Sequence, residues 1–335
     1  MNSTPLRIPH PHRSPAPVRV RSSSRKAVLD ALEYVPLLSR AHLGEITDLG
    51  ETTLRHAIRQ LSREGVLTPQ SGRNAGTVSI ARYSALPVLE IAPRHMIWRL
   101  CDTLGGSVFA TVRDRGGFRS AEDDFVALMG QVATILRGGA CGLSKEIPLQ
   151  PPVLLCSDSL GPDISPRLPL PESPTAILSP KQAIALEIRY LPATRKADTT
   201  LLLQVGADTL TPAVTLFTRA EGGGLDRSFI PSPMTADLDQ SLLTYVEDTP
   251  AYTRDWWLRI AAFLRDLCRF IRTDCVILEI DRPQEHAALL RPALPPTVKL
   301  VRTRYALNTP SLAHRGALRI ARRALWESME EPPSS

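Results

Sequence analysis

Residues Leu38–Glu64, LSRAHLGEITDLGETTLRHAIRQLSRE, constrain this chain more than any other stretch. Leu43 and Ile46 mark the inner side of one short helix, and Thr47-Asp48-Leu49-Gly50 makes a corner. Leu54, Ala57, Ile58 and Leu61 then recur at helical period on the next helix. Two short helices joined by such a corner form a helix-turn-helix. Ser39 is placed to cap the first, Leu49 to plug the corner, and Gly50 to give a tight approach to the second. The apolar positions of the second helix leave Thr52, Thr53, Arg55, His56, Arg59, Gln60 and Arg63 facing outward or flanking.

The charge of the chain gathers around that stretch. Of 40 Lys and Arg and 34 Asp and Glu, residues 1–86 hold 12 and 6, which leaves 28 of each in the remainder. A local basic surface beside a neutral remainder is the footprint of a module that meets phosphate. At 335 residues, with 43% hydrophobic residues, the chain has room for two domains with full cores. Its apolar runs fall short of the roughly 20 residues of a membrane helix, and the N-terminus has no signal-peptide core, so a cytoplasmic, nucleoid-associated protein is expected. Cys101, Cys141, Cys156, Cys268 and Cys275 are scattered and odd in number, as for reduced thiols rather than a disulfide framework or metal site.

Residues 1–23 are rich in Pro, Ser and Arg without apolar period, and are expected to be a disordered basic arm whose Arg7, Arg13, Arg19 and Arg21 either follow a DNA backbone or enter a minor groove, the alternative being a solvated tail. A first helix is expected from Ser24, with Val28, Leu29, Ala31 and Leu32 on one side and Pro36 stopping it. After the helix-turn-helix, Val66–Pro69 and Thr77–Arg82 flank a Gly-containing turn, which reads as a hairpin with Arg73 at its tip. Helix, helix-turn-helix and hairpin are the winged-helix order. In such modules the first turns of the second helix lie deepest in the major groove. Thr52, Thr53, Arg55 and His56 are therefore the expected base-reading residues, with Arg59 and Arg63 on phosphates and Arg73 suited to a phosphate or minor-groove contact. The alternative is a small helical bundle whose helices have polar faces.

From Pro87 the texture changes to strands. Val88–Ile91, His95–Asp102 and Val108–Val112 read as three antiparallel strands, with a tight turn at Leu104–Ser107. Glu122–Arg137 reads as an amphipathic helix burying Phe125, Leu128, Met129, Val132, Ile135 and Leu136, and Pro152–Cys156 as a buried strand. Trp256 and Trp257 open a helix whose Leu258, Ala261, Ala262, Leu264 and Leu267 suggest core packing. Pro148–Pro174 is a proline-dense surface connection, and Gly222–Gly224 reads as a loop rather than a phosphate cradle.

The winged-helix stretch, followed by strands whose turn reads Cys101-Asp102-Thr103-Leu104-Gly105-Gly106-Ser107, resembles the ROK family of bacterial transcriptional repressors and sugar kinases. Ala183–Glu187 and Asp198–Gly206 are similar to the family's alanine-rich helix and the strand after it. Trp256–Arg265 with Thr273–Leu278 resembles the helix and strand of its late nucleotide motif, and Ala313–Leu318 its final helix. The resemblance runs from Arg25 to Trp326. It implies an α/β multidomain chain: arm 1–23, winged helix-turn-helix 24–84, an actin-like (ribonuclease H-like) ROK-type body with lobes 85–195 and 196–326, and a loose tail 327–335.

The same resemblance locates the kinase machinery, and this sequence departs from it. The first phosphate turn reads Ile91-Ala92-Pro93-Arg94 without glycine, and the second Gly206-Ala207-Asp208-Thr209, with a carboxylate where phosphate should lie. Glu279-Ile280 stands where late glycines are expected. Ser179-Pro180-Lys181-Gln182 replaces the run holding the catalytic base, and proline cannot take a proton. Residues 214–248 hold neither Cys nor His for the family's zinc site, and the sugar-holding Glu-x-Gly-His run is missing after Asp226. Glu187 and Asp158 remain near the implied sugar pocket, where lone carboxylates are usually surface or capping residues.

The expectation is a sequence-specific regulator, a repressor by resemblance, that binds double-stranded DNA. It is not expected to be an enzyme, and needs no cofactor or metal. A kinase-dead body would serve homodimerisation or higher assembly and take a sugar-like effector. The alternatives are a ROK-type sugar kinase with an appended reader, or a ligand-independent DNA-binding protein.

Overall fold

The computed structural model describes residues 17–34, 37–69, 76–81, 84–115, 120–137, 149–157, 173–194, 196–205, 212–220, 228–280, 283–304 and 310–328. The chain divides into two compact units, residues 1–81 with 330–335, and residues 82–329.

In the first unit, α1 (Pro17–Tyr34), α2 (Arg40–Thr47) and α3 (Glu51–Arg63) pack on a small sheet. In that sheet β1 (Leu37–Ser39) and β2 (Leu67–Pro69) both run antiparallel to the central β3 (Thr77–Ile80). Its core is Val28, Leu29, Ala31 and Leu32 of α1, Leu43 of α2, Leu54, Ala57, Ile58 and Leu61 of α3, with Val66, Leu67, Val78 and Ile80 beneath. Ser39 caps α2 by accepting from the His42 amide. A Schellman turn ends α3: the Val66 amide donates to the Leu61 carbonyl and the Gly65 amide to that of Ser62, with Gly65 at φ 73°. Val66 and Leu61, which such a turn brings together, are both fully buried.

Several expectations are corrected here. Helix α1 begins at Pro17 rather than Ser24, because proline at a first helical position gives up an amide that has no partner there anyway. Residues 17–23 are therefore helical and not part of a disordered arm, though their side chains are not described. Ile46 is exposed, since α2 is only two turns long and buries Leu43 alone; Leu49 is half-buried. The left-handed residue of the corner is Asp48, at φ 53°, while Gly50 caps α3 with φ −57°, a conformation open to any residue. The sheet gains β1, which the sequence reading left out. Residues 1–16 and 70–75, the latter including Arg73, lie outside the described residues.

The second unit repeats one pattern twice. Strands β4 (Ala85–Ile91), β5 (His95–Asp102) and β6 (Ser107–Asp114) form an antiparallel meander. After α4 (Ala121–Arg137), strands β7 (Val153–Cys156) and β8 (Ala176–Leu178) add in parallel on the far side of β4, giving the order β6-β5-β4-β7-β8. Helix α5 (Pro180–Tyr190) closes this lobe.

The second lobe follows the same order. Its meander is β9 (Thr199–Val205), β10 (Ala213–Arg219) and β11 (Phe229–Pro231), followed by α6 (Thr235–Val246) and α7 (Arg254–Phe270). Then come β12 (Cys275–Ile280), α8 (Pro283–Leu290), β13 (Lys299–Arg304) and α9 (Leu312–Ser328), in a sheet ordered β11-β10-β9-β12-β13.

Strand alternation assigns each residue its layer. Leu89 and Ile91 of β4 pack outward on Phe125, Leu128 and Val132 of α4. Leu201, Leu203, Val276 and Leu278 pack outward on α6, α7 and α8, where Trp256 and Trp257 are buried as expected. The opposite faces share one inner core: Leu86 and Val88 of β4, Leu202 of β9 and Ile277 of β12 close on α5 and α9. Helix α9 thus packs with α5 rather than belonging to the second lobe alone. Leu258, expected in the core of α7, is instead 45% exposed. No helix of the described residues is long and apolar enough to cross a membrane.

Candidate functional site

On α3, the buried Leu54, Ala57, Ile58 and Leu61 line one side. At roughly 100° per residue, Thr52, Arg55, His56, Arg59 and Arg63 fall on the opposite side, and all five are exposed, as is the flanking Thr53. The structure thus brings together six of the seven expected contact residues on one helix face; the seventh, Arg73, lies outside the described residues.

Charge on this face is managed by two ion pairs that the sequence reading missed. Arg25 of α1 donates to both carboxylate oxygens of Glu64, at 3.0 and 2.6 Å, which offsets an acidic charge at the end of α3 and ties α1 to it. Arg55 Nη2 donates to Glu51 Oε1 at 2.5 Å, one helical turn back. The i, i+4 spacing of Glu51 and Arg55 was the available signal.

In the second unit the inner sheet faces end in a polar cluster. Glu90 near the end of β4 and Glu279 near the end of β12 share their strand faces with Val88 and Ile277, so both point into the space between the sheets. The first turn of α9 meets both. The Leu312 amide donates to Glu279 Oε1 at 2.6 Å, while His314 Nε2 lies 3.3 Å from Glu90 Oε2; His95 Nε2 lies 3.6 Å from Glu90 Oε1. Gln204 of β9 donates to the other oxygen of Glu279.

Burial works to raise the pKa of both carboxyls, and they part company through their neighbours. The His95 hydrogen bond and the nearby charges of His314, His95 and Arg99 leave Glu90 below the ordinary value. Glu279 stays above it, with the Glu90 charge adding to the effect of burial against the Leu312 and Gln204 hydrogen bonds. Burial pushes His314 down to about 4, outweighing the pull of Glu90. A phosphate entering here would meet two carboxyl groups.

The stretch Ser179–Gln182 forms a complete capping box: Ser179 accepts from the Gln182 amide, Gln182 returns the bond, and Pro180 opens α5. Glu187 departs from the expectation of a surface carboxylate. It is 4% exposed, and Arg319 Nε donates to it at 2.6 Å with Arg315 Nε at 3.6 Å, because α5 and α9 cross here and cover it. It joins two helices instead of lining an open pocket. Asp158, residues 206–209 and Gly222–Gly224 lie outside the described residues. The described His, Cys, Asp and Glu form no cluster of three or more able to hold a metal. Cys101, Cys156, Cys268 and Cys275 are free thiols, and Cys141 is outside the described residues. An open groove of about 660 Å³ beside β13, lined in part by Arg291, Lys299 and Arg302, lies apart from all these residues.

No family model and no curated protein matches the sequence. Solved structures do match. A structure described as a ROK family transcriptional regulator, homologue of the E. coli MLC protein, superposes with a TM-score of 0.52 at 11% identity, over 93% of this chain and 98% of that one. The fold is the two-lobed ROK type. Sugar kinases also align. A ROK glucokinase from Streptomyces griseus gives a TM-score of 0.41 at 12% identity, over 72% of this chain and 100% of that one. An inorganic polyphosphate/ATP-glucomannokinase from Arthrobacter sp. gives 0.46 at 14%, over 71% and 98%. The α/β multidomain, actin-like architecture expected from the resemblance is the one this chain adopts.

Proposed function

We propose that this chain is a sequence-specific transcriptional regulator that reads double-stranded DNA through a winged helix-turn-helix at its N-terminus. One observation carries the reading. Helix α3 turns Thr52, Arg55, His56, Arg59 and Arg63 to solvent together, on the face opposite its buried side, with a corner before it and a hairpin after it. A helix of that kind offers bidentate donors for guanine at its first turns and cations for phosphate further along. The concentration of net positive charge in residues 1–86 fits the same role. The structure whose fold spans 93% of this chain is described as a transcriptional regulator, which supports the assignment.

The body serves assembly and effector sensing without phosphotransfer. Glu90 and Glu279 disfavour an anion between the sheets, and a proline-led capping box stands where the family resemblance puts the base. A homodimer would set two readers on an inverted repeat with half-sites about 34 Å or a multiple apart. A sugar-like effector would act by changing that spacing.

The test is selection of bound fragments from genomic DNA by the purified protein. An inverted repeat should be enriched, and enrichment should vanish in the Arg55→Ala, His56→Ala double variant. Binding that follows salt concentration alone, or none, overturns the reading. Turnover of Mg-ATP with a hexose would replace it with the sugar-kinase alternative.

A further inference from the structure

We propose that Glu51 is a positioning residue that sets base specificity through Arg55, an inference that rests on reading α3 as the DNA-contacting helix. Glu51 is the first residue of α3 and Arg55 lies one turn on, with side chains 84% and 61% exposed. An exposed pair of this kind is too weak to matter to the fold. Its effect is geometric. A free arginine samples many rotamers, whereas the bond from Nη2 to Glu51 Oε1 holds the guanidinium beside the first turn, which in this class of module lies deepest in the groove. A guanidinium carries five N–H donors in one plane. The bond to Glu51 takes one, and the remaining donors still present a fork that matches O6 and N7 of guanine.

The carboxylate adds discrimination of a second kind. Standing at the helix start, it opposes the approach of phosphate on every sequence, a cost offset only where Arg55 meets a guanine. Glu51 therefore lowers affinity for DNA in general and raises the preference for a site with guanine under Arg55. A glutamate that only stabilised the helix through its dipole would change affinity for every sequence alike.

The experiment compares wild type, Glu51→Ala, Glu51→Gln, Arg55→Lys and the Glu51→Ala, Arg55→Lys double variant. Each is measured on the selected site, on sites with single guanine replacements, and on unrelated DNA. Glu51→Ala should lose about two- to fivefold of the preference for guanine at one position, the size that an exposed pair one turn apart can supply, while binding unrelated DNA as well as or better than wild type. Glu51→Gln should fall between wild type and Glu51→Ala. Arg55→Lys should lose that preference to a larger extent, about tenfold or more, and the double variant should lose no more than Arg55→Lys alone, since both act on one contact. A uniform fall on all sequences, or losses that add, overturns the proposal while leaving DNA reading intact. A wild-type protein that selects no sequence overturns the DNA reading and this proposal with it.

Discussion

A β-carbon placed on Gly316 of α9 would stand 1.8 Å from the carbonyl oxygen of Ala183 on α5. The two helices that fill the space between the sheets touch backbone to backbone at this point, and only glycine allows it. Gly316→Ala forces the helices apart through the inner core they share with Val88, Leu202 and Ile277. The expected loss is at least about 3 kcal/mol, at the upper end of overpacking effects. The midpoint of urea unfolding reads it, and an unchanged midpoint would mean that α5 and α9 do not meet here.

His314 makes the body sensitive to acid. The group titrates near 6.5 in the unfolded chain and about 4 in the fold. As pH falls through that interval, the unfolded chain takes up a proton that the folded one refuses. Stability is complete above about 6.5 and declines towards about 4, by something like 3 kcal/mol. Glu90, held below its ordinary value, adds a loss that begins as pH drops below the unfolded carboxyl value. Denaturation midpoints across pH 7 to 4 should slope less in His314→Gln than in wild type. An equal slope would put the acid sensitivity elsewhere.

The two faces of α3 should respond differently to truncation. Leu61 is fully buried, so Leu61→Ala should cost the first unit about 2–5 kcal/mol. Arg59 is exposed, so Arg59→Ala should leave thermal stability within roughly 0.5 kcal/mol. On DNA it should weaken binding evenly across sequences and reduce the salt slope by about 1. Calorimetry and binding titrations at several salt concentrations separate the two. Loss of stability in Arg59→Ala would mean that the residue serves the fold.

What could be read from sequence follows the reach of each signal. The apolar period of α3 is local, so Leu54, Ala57, Ile58 and Leu61 declared its inner face, and the outward side chains followed by subtraction. Ile46 misled because two turns of α2 give too few positions to fix a face, and the left-handed residue of the corner is Asp48, two positions before Gly50. The doubled strand order of the body left no trace in the sequence reading, since β4 and β9 share geometry without sharing residues. The burial of Glu187 by Arg319 spans 132 positions, and the meeting of Glu90 with His314 likewise depends on tertiary contact. Glu51 and Arg55, four residues apart on one helix, carry a local signal that the sequence alone displays.

The thiols offer a readout of the body that needs no ligand. Cys101, Cys268 and Cys275 are buried, and burial drives their ionisation up to about 12, 11 and 11. The thiolate is the nucleophile, so at pH 8 each is both screened from reagent and almost wholly protonated. Cys156 at the end of β7 is only partly covered, and burial raises it less. Brief treatment of the folded protein with iodoacetamide should therefore label Cys156 well before these three, with all of them reacting once urea unfolds the body. Peptide mapping by mass spectrometry distinguishes the sites. Rapid labelling of Cys275 in the folded state would contradict its place in the inner core, because that thiol packs between β12 and the α5–α9 pair and opens only when the two sheets separate.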